Sequence, residues 1–236
     1  IHTTQSGAQA ELILDTAVAA NQSIQFVNVQ DNDAGSGAGL LCNDCTDSGN
    51  NVNWIFPTAS ISGALYASDR TTPLASKTVA YAIGGGARIS SGVTNAQGAY
   101  SVSGAALTPG DIITLYVEDE TEDGVAVLLG AGFTMTGVDL YQNHLVLRSE
   151  SGSAAITNAH IDTADSNGDD DIRDIIANVS GGTLAMSGQS SLFVWADTTY
   201  QPGGGIAAND ITVQGTINVE ANAVTASCLL YTSPSP

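Results

Sequence analysis

Positive charge is what this sequence has least of. Its 236 residues hold five lysines and arginines against 24 aspartates and glutamates, a formal net charge of −19. A nucleic-acid partner is excluded on that ground, because such binding draws most of its strength from basic side chains on phosphate. Anionic membrane surfaces are disfavoured for the same reason. Long apolar runs are missing too: no window holds 18 consecutive apolar residues, so no membrane-spanning helix is expected. Cysteine occurs three times, and the histidines His2, His144 and His160 are scattered without ligand spacing. No G-x-S-x-G, H-E-x-x-H or phosphate-cradling loop is found, and the Gly84–Arg88 run lacks the Lys-Ser/Thr pair such a loop needs. A non-enzymatic chain is the expectation. Also scarce is the Leu, Glu, Lys and Arg mixture of ordinary surface helices.

What is present is Val, Ile and Thr in short alternating runs, punctuated by 26 glycines and many Ser, Asn and Asp. That texture predicts an all-β protein. "ELILDTAV" and "SIQFVNVQ" read as strands with Ile24, Phe26, Val27 and Val29 as core, and "TDSGNNVNWIF" stays polar until Trp54. From Pro57 to Thr136 several short strands alternate with turns, as in a small β-sandwich. From Gly137 to Ser227 strands with Gly and Asn corners, "AAITNAHIDTA" among them, suggest solenoid-like rungs as much as further sandwich.

Within the middle stretch, "SISGALY…TPLASKTVAY…GVTNAQGAYSVSG" resembles the carboxypeptidase-regulatory-like family, a transthyretin-like (Ig-like) sandwich. Ile61-Ser62-Gly63, Pro73-Leu74 and Thr94 to Tyr100 carry the likeness. Asn95 stands where the family has Asp, Gly98 can take the positive φ of the turn, and Tyr100 and Val102 share one strand face. The resemblance implies a structural module and no chemistry. "ITVQGTINVEANAVTA" and "TDSGNNVNW" resemble the rungs and unit ends of large bacterial β-strand-repeat surface proteins. Four segments follow: 1–56 ending a preceding repeat unit, 57–136 the sandwich, 137–227 a following repeat unit, and 228–236, "CLLYTSPSP". That ending resembles a translated sequencing adapter. With a beginning that lacks Met and any leader, it points to a piece of a longer chain.

Three constellations remain. In "DTADSNGDDDIRD", Asp165, Asn167, Asp169 and Asp171 place oxygens at every second residue, the ligand type calcium prefers. The Gly and Glu of an EF-hand are out of register, and a solvated acidic turn is the alternative. Glu118 to Asp123 reads as an acidic hairpin tip. Cys42 and Cys45 form a C-x-x-C without a second pair or a βαβ context. A local disulfide in an exported protein and two free thiols both fit it, metal binding less well. Trp54, Trp195 and Tyr200 are either a sugar-stacking platform or ordinary core and rim. The expected function is a structural or adhesive segment of an extracellular or surface-displayed bacterial protein, possessing neighbouring β modules and surface glycans or another surface ligand as partners. The alternative is a glycan-binding accessory part of a polysaccharide-active enzyme.

Overall fold

A computed structural model of the chain describes residues 9–13, 24–25, 27–43, 45–56, 59–105, 107–131, 134–150, 154–172 and 176–231. The chain divides into two compact units, residues 1–59 with 105–108, and residues 60–104 with 109–236. Strands dominate both, and among the described residues no helix is long and apolar enough to cross a membrane.

The first unit holds β1 (Ala10–Glu11), β2 (Ile24–Gln25), β3 (Asn28–Val29), β4 (Asn32–Asp33), β5 (Leu40–Asn43), β6 (Thr46–Asp47) and β7 (Trp54–Ile55). The pairings β1–β4, β2–β5, β3–β6 and β5–β7 are all parallel. Parallel pairing of such short strands requires the chain to come round in the same sense each time, which is solenoid stacking. The corners show how the sequence achieves it. Asp31 and Asn50 both take left-handed backbone, φ 53° and 55°, which Asp and Asn tolerate best after glycine. Nineteen residues apart, they stack, and the Asn50 amide donates to the Asp31 carboxylate at 2.7 Å. Asn51 repeats the device, accepting from the Asn32 backbone N–H at 3.1 Å and donating to the Val29 carbonyl at 2.9 Å. Val29, Cys42 and Cys45 are buried inside, with Ile24, Val27, Trp54 and Phe56 packed on them. Phe26 and most of "ELILDTAV" lie outside the described residues.

The second unit begins antiparallel: β8 (Ser60–Tyr66), β9 (Thr78–Ile83), β10 (Ser90–Val93), β11 (Ala99–Ser103), β12 (Pro109–Val117) and β13 (Val125–Ala131). Two sheets form from them, β10-β9-β12-β13 and β11-β8, the latter extended by β14 (Leu140–Tyr141) in parallel with β8. They meet at one edge, where Gly92 of β10 passes Ser101 of β11 so closely that a Cβ would lie 2.4 Å from the Ser101 carbonyl oxygen. The turn before β11 is built as its residues predict. Asn95 Oδ1 accepts from the Gln97 and Ala99 amides at 2.9 and 3.0 Å, Gly98 has φ +73°, and Tyr100 and Val102 are buried.

The rest of the unit is parallel: β15 (His144–Ser149), β16 (Ala177–Ser180), β17 (Thr183–Met186), β18 (Ser191–Val194), β19 (Thr199–Tyr200), β20 (Ile206–Val213), β21 (Thr216–Ile217) and β22 (Val224–Tyr231). Only β16–β17 is an antiparallel hairpin. Val125 pairs with Leu145, Leu145 with Leu192, Leu192 with Ile211, and Ile211 with Leu229. These are the stacked rungs of a solenoid, and they continue the sheet of β9, β12 and β13. Residues expected as two successive modules, 57–136 and 137–227, thus share one ten-stranded sheet. Ala80, Ala82, Val125, Val127, Leu129, Leu145, Leu147, Leu192 and Ile211 bury one of its faces.

That face is covered in part by the helix α1 (Asn158–Asp165). "AAITNAHIDTA" reads as a strand, and the structure corrects this. Thr157 caps the helix, its hydroxyl accepting from the His160 N–H while His160 Nδ1 accepts from the Thr157 N–H. Ile161 and Ala164, three apart, then turn one apolar edge inwards. At the other end of the stack, β22 runs on through Cys228 to Tyr231, inside the adapter-like stretch. Its pairing is by backbone alone, since Leu229, Leu230 and Tyr231 stay exposed; residues 232–236 lie outside the described residues.

Candidate metal centre

The acidic loop after α1 folds back on itself by successive side-chain turns. Asn167 Oδ1 accepts from the Asp169 N–H at 2.8 Å, and Asp169 Oδ1 from the Asp171 N–H at 3.1 Å. Asn167 is buried and donates its amide to the Gly86 carbonyl. The turn at 170–172 then gathers three consecutive carboxylates, and Asp169, Asp170 and Asp171 bring oxygens within 4.8 Å of one another. Such a triad can hold a metal ion, and its hard oxygen donors suit cations of the calcium and magnesium class.

The sequence pattern and this geometry overlap in part. Asp169 and Asp171 belong to both. Asp165 is the last residue of α1 and lines a small cavity beneath the helix, and the Asn167 oxygen is turned to its own loop. Asp170 belongs to the cluster although the every-second-residue spacing skips it. The signal was the bare Asp-Asp-Asp run, which only a turn makes into a cluster.

The second acidic stretch adjoins the first. Asp171 Oδ2 accepts from the Asp119 backbone N–H at 2.8 Å, and Asp169 Oδ2 from the Tyr116 hydroxyl at 3.2 Å. The residues between β12 and β13 do form a hairpin tip, and it is partly neutralised: Lys77 pairs with Glu120 at 3.3 Å and Glu122 at 2.5 Å, and Arg88 pairs with Glu118. Among the described residues no cation pairs with the triad. Burial, then the charges of Asp169, Asp119 and Asp170, push the Asp171 carboxyl above its ordinary pKa. A bound cation would reverse that shift.

The other candidates have plain places. Cys42 and Cys45 are joined by a disulfide in the first unit's core, and Cys228 is an exposed free thiol. Trp54 stacks on Phe56 at 6.0 Å and donates to Asn32 Oδ1 at 3.1 Å. Tyr200 is wholly buried, its hydroxyl bonded to Asn158. Trp195 stands half-exposed beside Tyr141 and Phe193. Tyr200 therefore supplies no sugar-stacking ring. No protein-family model matches the chain, and no curated protein is significantly similar to it.

Proposed function

We propose that the chain is a non-catalytic structural or adhesive segment of a long secreted or surface-displayed bacterial repeat protein. In this reading a carboxypeptidase-regulatory-like, transthyretin-like sandwich runs into β-solenoid rungs, and calcium at Asp169, Asp170 and Asp171 stiffens the acidic corner. The observation that carries it is the shared sheet, in which antiparallel sandwich strands pass into parallel rungs. Stacked rungs extend a molecule in one direction and present surface along it, which is the work of a stalk or adhesin. The Cys42–Cys45 disulfide supports an oxidising compartment.

Cell fractionation with protease shaving of the source bacterium tests the location: the chain should be digested on intact cells, and protection inside them would overturn the reading. Calcium is tested by thermal melting. The melting temperature should rise at millimolar calcium, and Asp171→Asn should abolish that increment while raising the calcium-free value by about 1–3 °C, since it removes a repelled charge. An unchanged melting temperature on adding calcium to the unaltered chain removes calcium from the proposal.

A further inference from the structure

Beyond β14 the second layer of the sandwich stops, and the sheet face opposite the core is covered only by surrounding turns, with His144, Ser191 and Phe193 buried beneath them. His144 lies beside Ser191 there, and Phe193 beside Thr212, while their chain neighbours Leu145, Leu192 and Ile211 point into the core. Three turns rise around this face: the one bearing Ser68 and Arg70, the one bearing Asn143, and the one bearing Gln189. They enclose an open groove of about 360 Å³, with Asp210 and Thr212 on its floor. That size is at the small end of ligand clefts, roughly 300 to 1,000 Å³.

Arg70 sets the groove apart. In a chain so rich in carboxylates, Lys77, Arg88 and Arg148 each hold an acidic partner, and among the described residues Arg70 makes no ion pair. Its guanidinium instead lies over the Phe193 ring, 5.3 Å from the centroid. Stacking fixes the plane of a guanidinium and leaves its N–H edge for a planar anion. The turn is built to hold it there. Arg70 takes left-handed backbone, φ 61°, a strained choice for arginine. Asp69 ties that turn by accepting from the Thr71 and Thr72 amides at 2.9 and 2.8 Å and from the Thr72 hydroxyl at 2.6 Å. These bonds, that of the Thr72 hydroxyl first, draw the Asp69 carboxyl down to about 2.

The remaining lining is donor–acceptor in character: the hydroxyls of Ser68, Ser191 and Thr212 and the amides of Asn143 and Gln189. His144 is held neutral by burial, and its Nδ1–H donates to the Gln142 carbonyl at 2.8 Å, leaving the other ring nitrogen as an acceptor. Beside it stand the rings of Tyr141, Tyr66, Phe193 and Trp195 in mutual contact. One cation, one carboxylate and a set of hydroxyls and amides do not suit a multiply charged phosphate. They suit a ring bearing several hydroxyls and one carboxylate.

We propose that this groove binds a hexuronate unit of an acidic polysaccharide, with Arg70, braced on the Phe193 ring, on the sugar carboxylate, and Asp210 and the amides on its hydroxyls. The inference rests on display of the chain outside the cell, where such polymers occur. A failed binding test leaves the fractionation result as it stands, so the two can fail separately. The test is a heteronuclear NMR titration of the whole chain with trigalacturonate and with its methyl ester, which keeps the hydroxyls and removes the charge. Saturable shifts confined to residues 68–70, 143–144, 189–191 and 210–212 are expected with the acid, and binding about tenfold weaker with the ester. Arg70→Gln should weaken acid binding to the level of the ester at an unchanged melting temperature. Thr212→Val, on the floor and remote from the turn, should weaken acid and ester alike. No saturable shifts at millimolar acid, equal binding of acid and ester, or undiminished binding by a folded Arg70→Gln chain would each overturn the proposal.

Discussion

Thr114 carries a hydroxyl into a layer of apolar side chains. It is wholly buried, and that hydroxyl has no hydrogen-bond partner among the described residues. It lines a cavity of about 20 Å³ with Val125, Ile161 and Ile172, room for about one water. Valine has the same branched shape without the unmet polar atom. Thr114→Val should therefore stabilise the chain by about 1 kcal/mol and raise its melting temperature by roughly 2–4 °C, to be read by calorimetry. Tyr100 shows the opposite arrangement: buried, it donates to the Val138 carbonyl at 2.5 Å, and burial drives its phenol far above the ordinary range. Its inward position followed from alternation with Val102, whereas its partner, distant in sequence, left no local signal.

Strands were legible wherever one face meets water. β11 alternates exposed and buried residues along its whole length, and the Asn95–Gly98 turn before it announces itself by composition. The fully buried strands gave a weaker message: β18, Ser191–Val194, is covered on both faces and shows no alternation. The helix α1 was missed because its stretch has one apolar edge and a polar remainder, which over eight residues passes for a strand. That miss displaced Asp165 from the acidic loop to the helix end. Close approaches are illegible for another reason, since glycine gives no hint of what passes it. A Cβ on Gly63 would lie 1.8 Å from the Val138 carbonyl oxygen, and backbone cannot step aside as a side chain can. Gly63→Ala should cost about 3 kcal/mol in urea unfolding, as an overpacked site does, and should separate β14 from β8.

The acidity of the whole chain has a sign that can be read. Asp123, Asp139 and Asp171 are all shifted upwards, each chiefly by burial. They bind a proton more readily folded than unfolded, so stability is lost as pH climbs through and above the ordinary carboxylate range and regained as it falls. Asp69 and Glu122, shifted down by their hydrogen bonds, act oppositely and lose their contribution in stronger acid. Melting without calcium should accordingly lose this contribution as pH rises through the raised carboxyl range and not beyond it, while His144 and His160, shifted down by burial, add stability as pH rises through the ordinary imidazole range. Composition alone had suggested the charge, but which carboxylates are crowded depended on the hairpin tip meeting the loop, a contact no linear pattern encodes.

One further property follows from β13 lying parallel to β15. A chain of separate modules bends at its linkers and extends under load in steps, one per module. In the second unit the passage from sandwich to rungs is a row of backbone hydrogen bonds, so tension crosses it in shear and finds no hinge. Stretched between its ends by force spectroscopy, this unit should give way in one event, and a two-step trace would show that the ladder between β13 and β15 yields first.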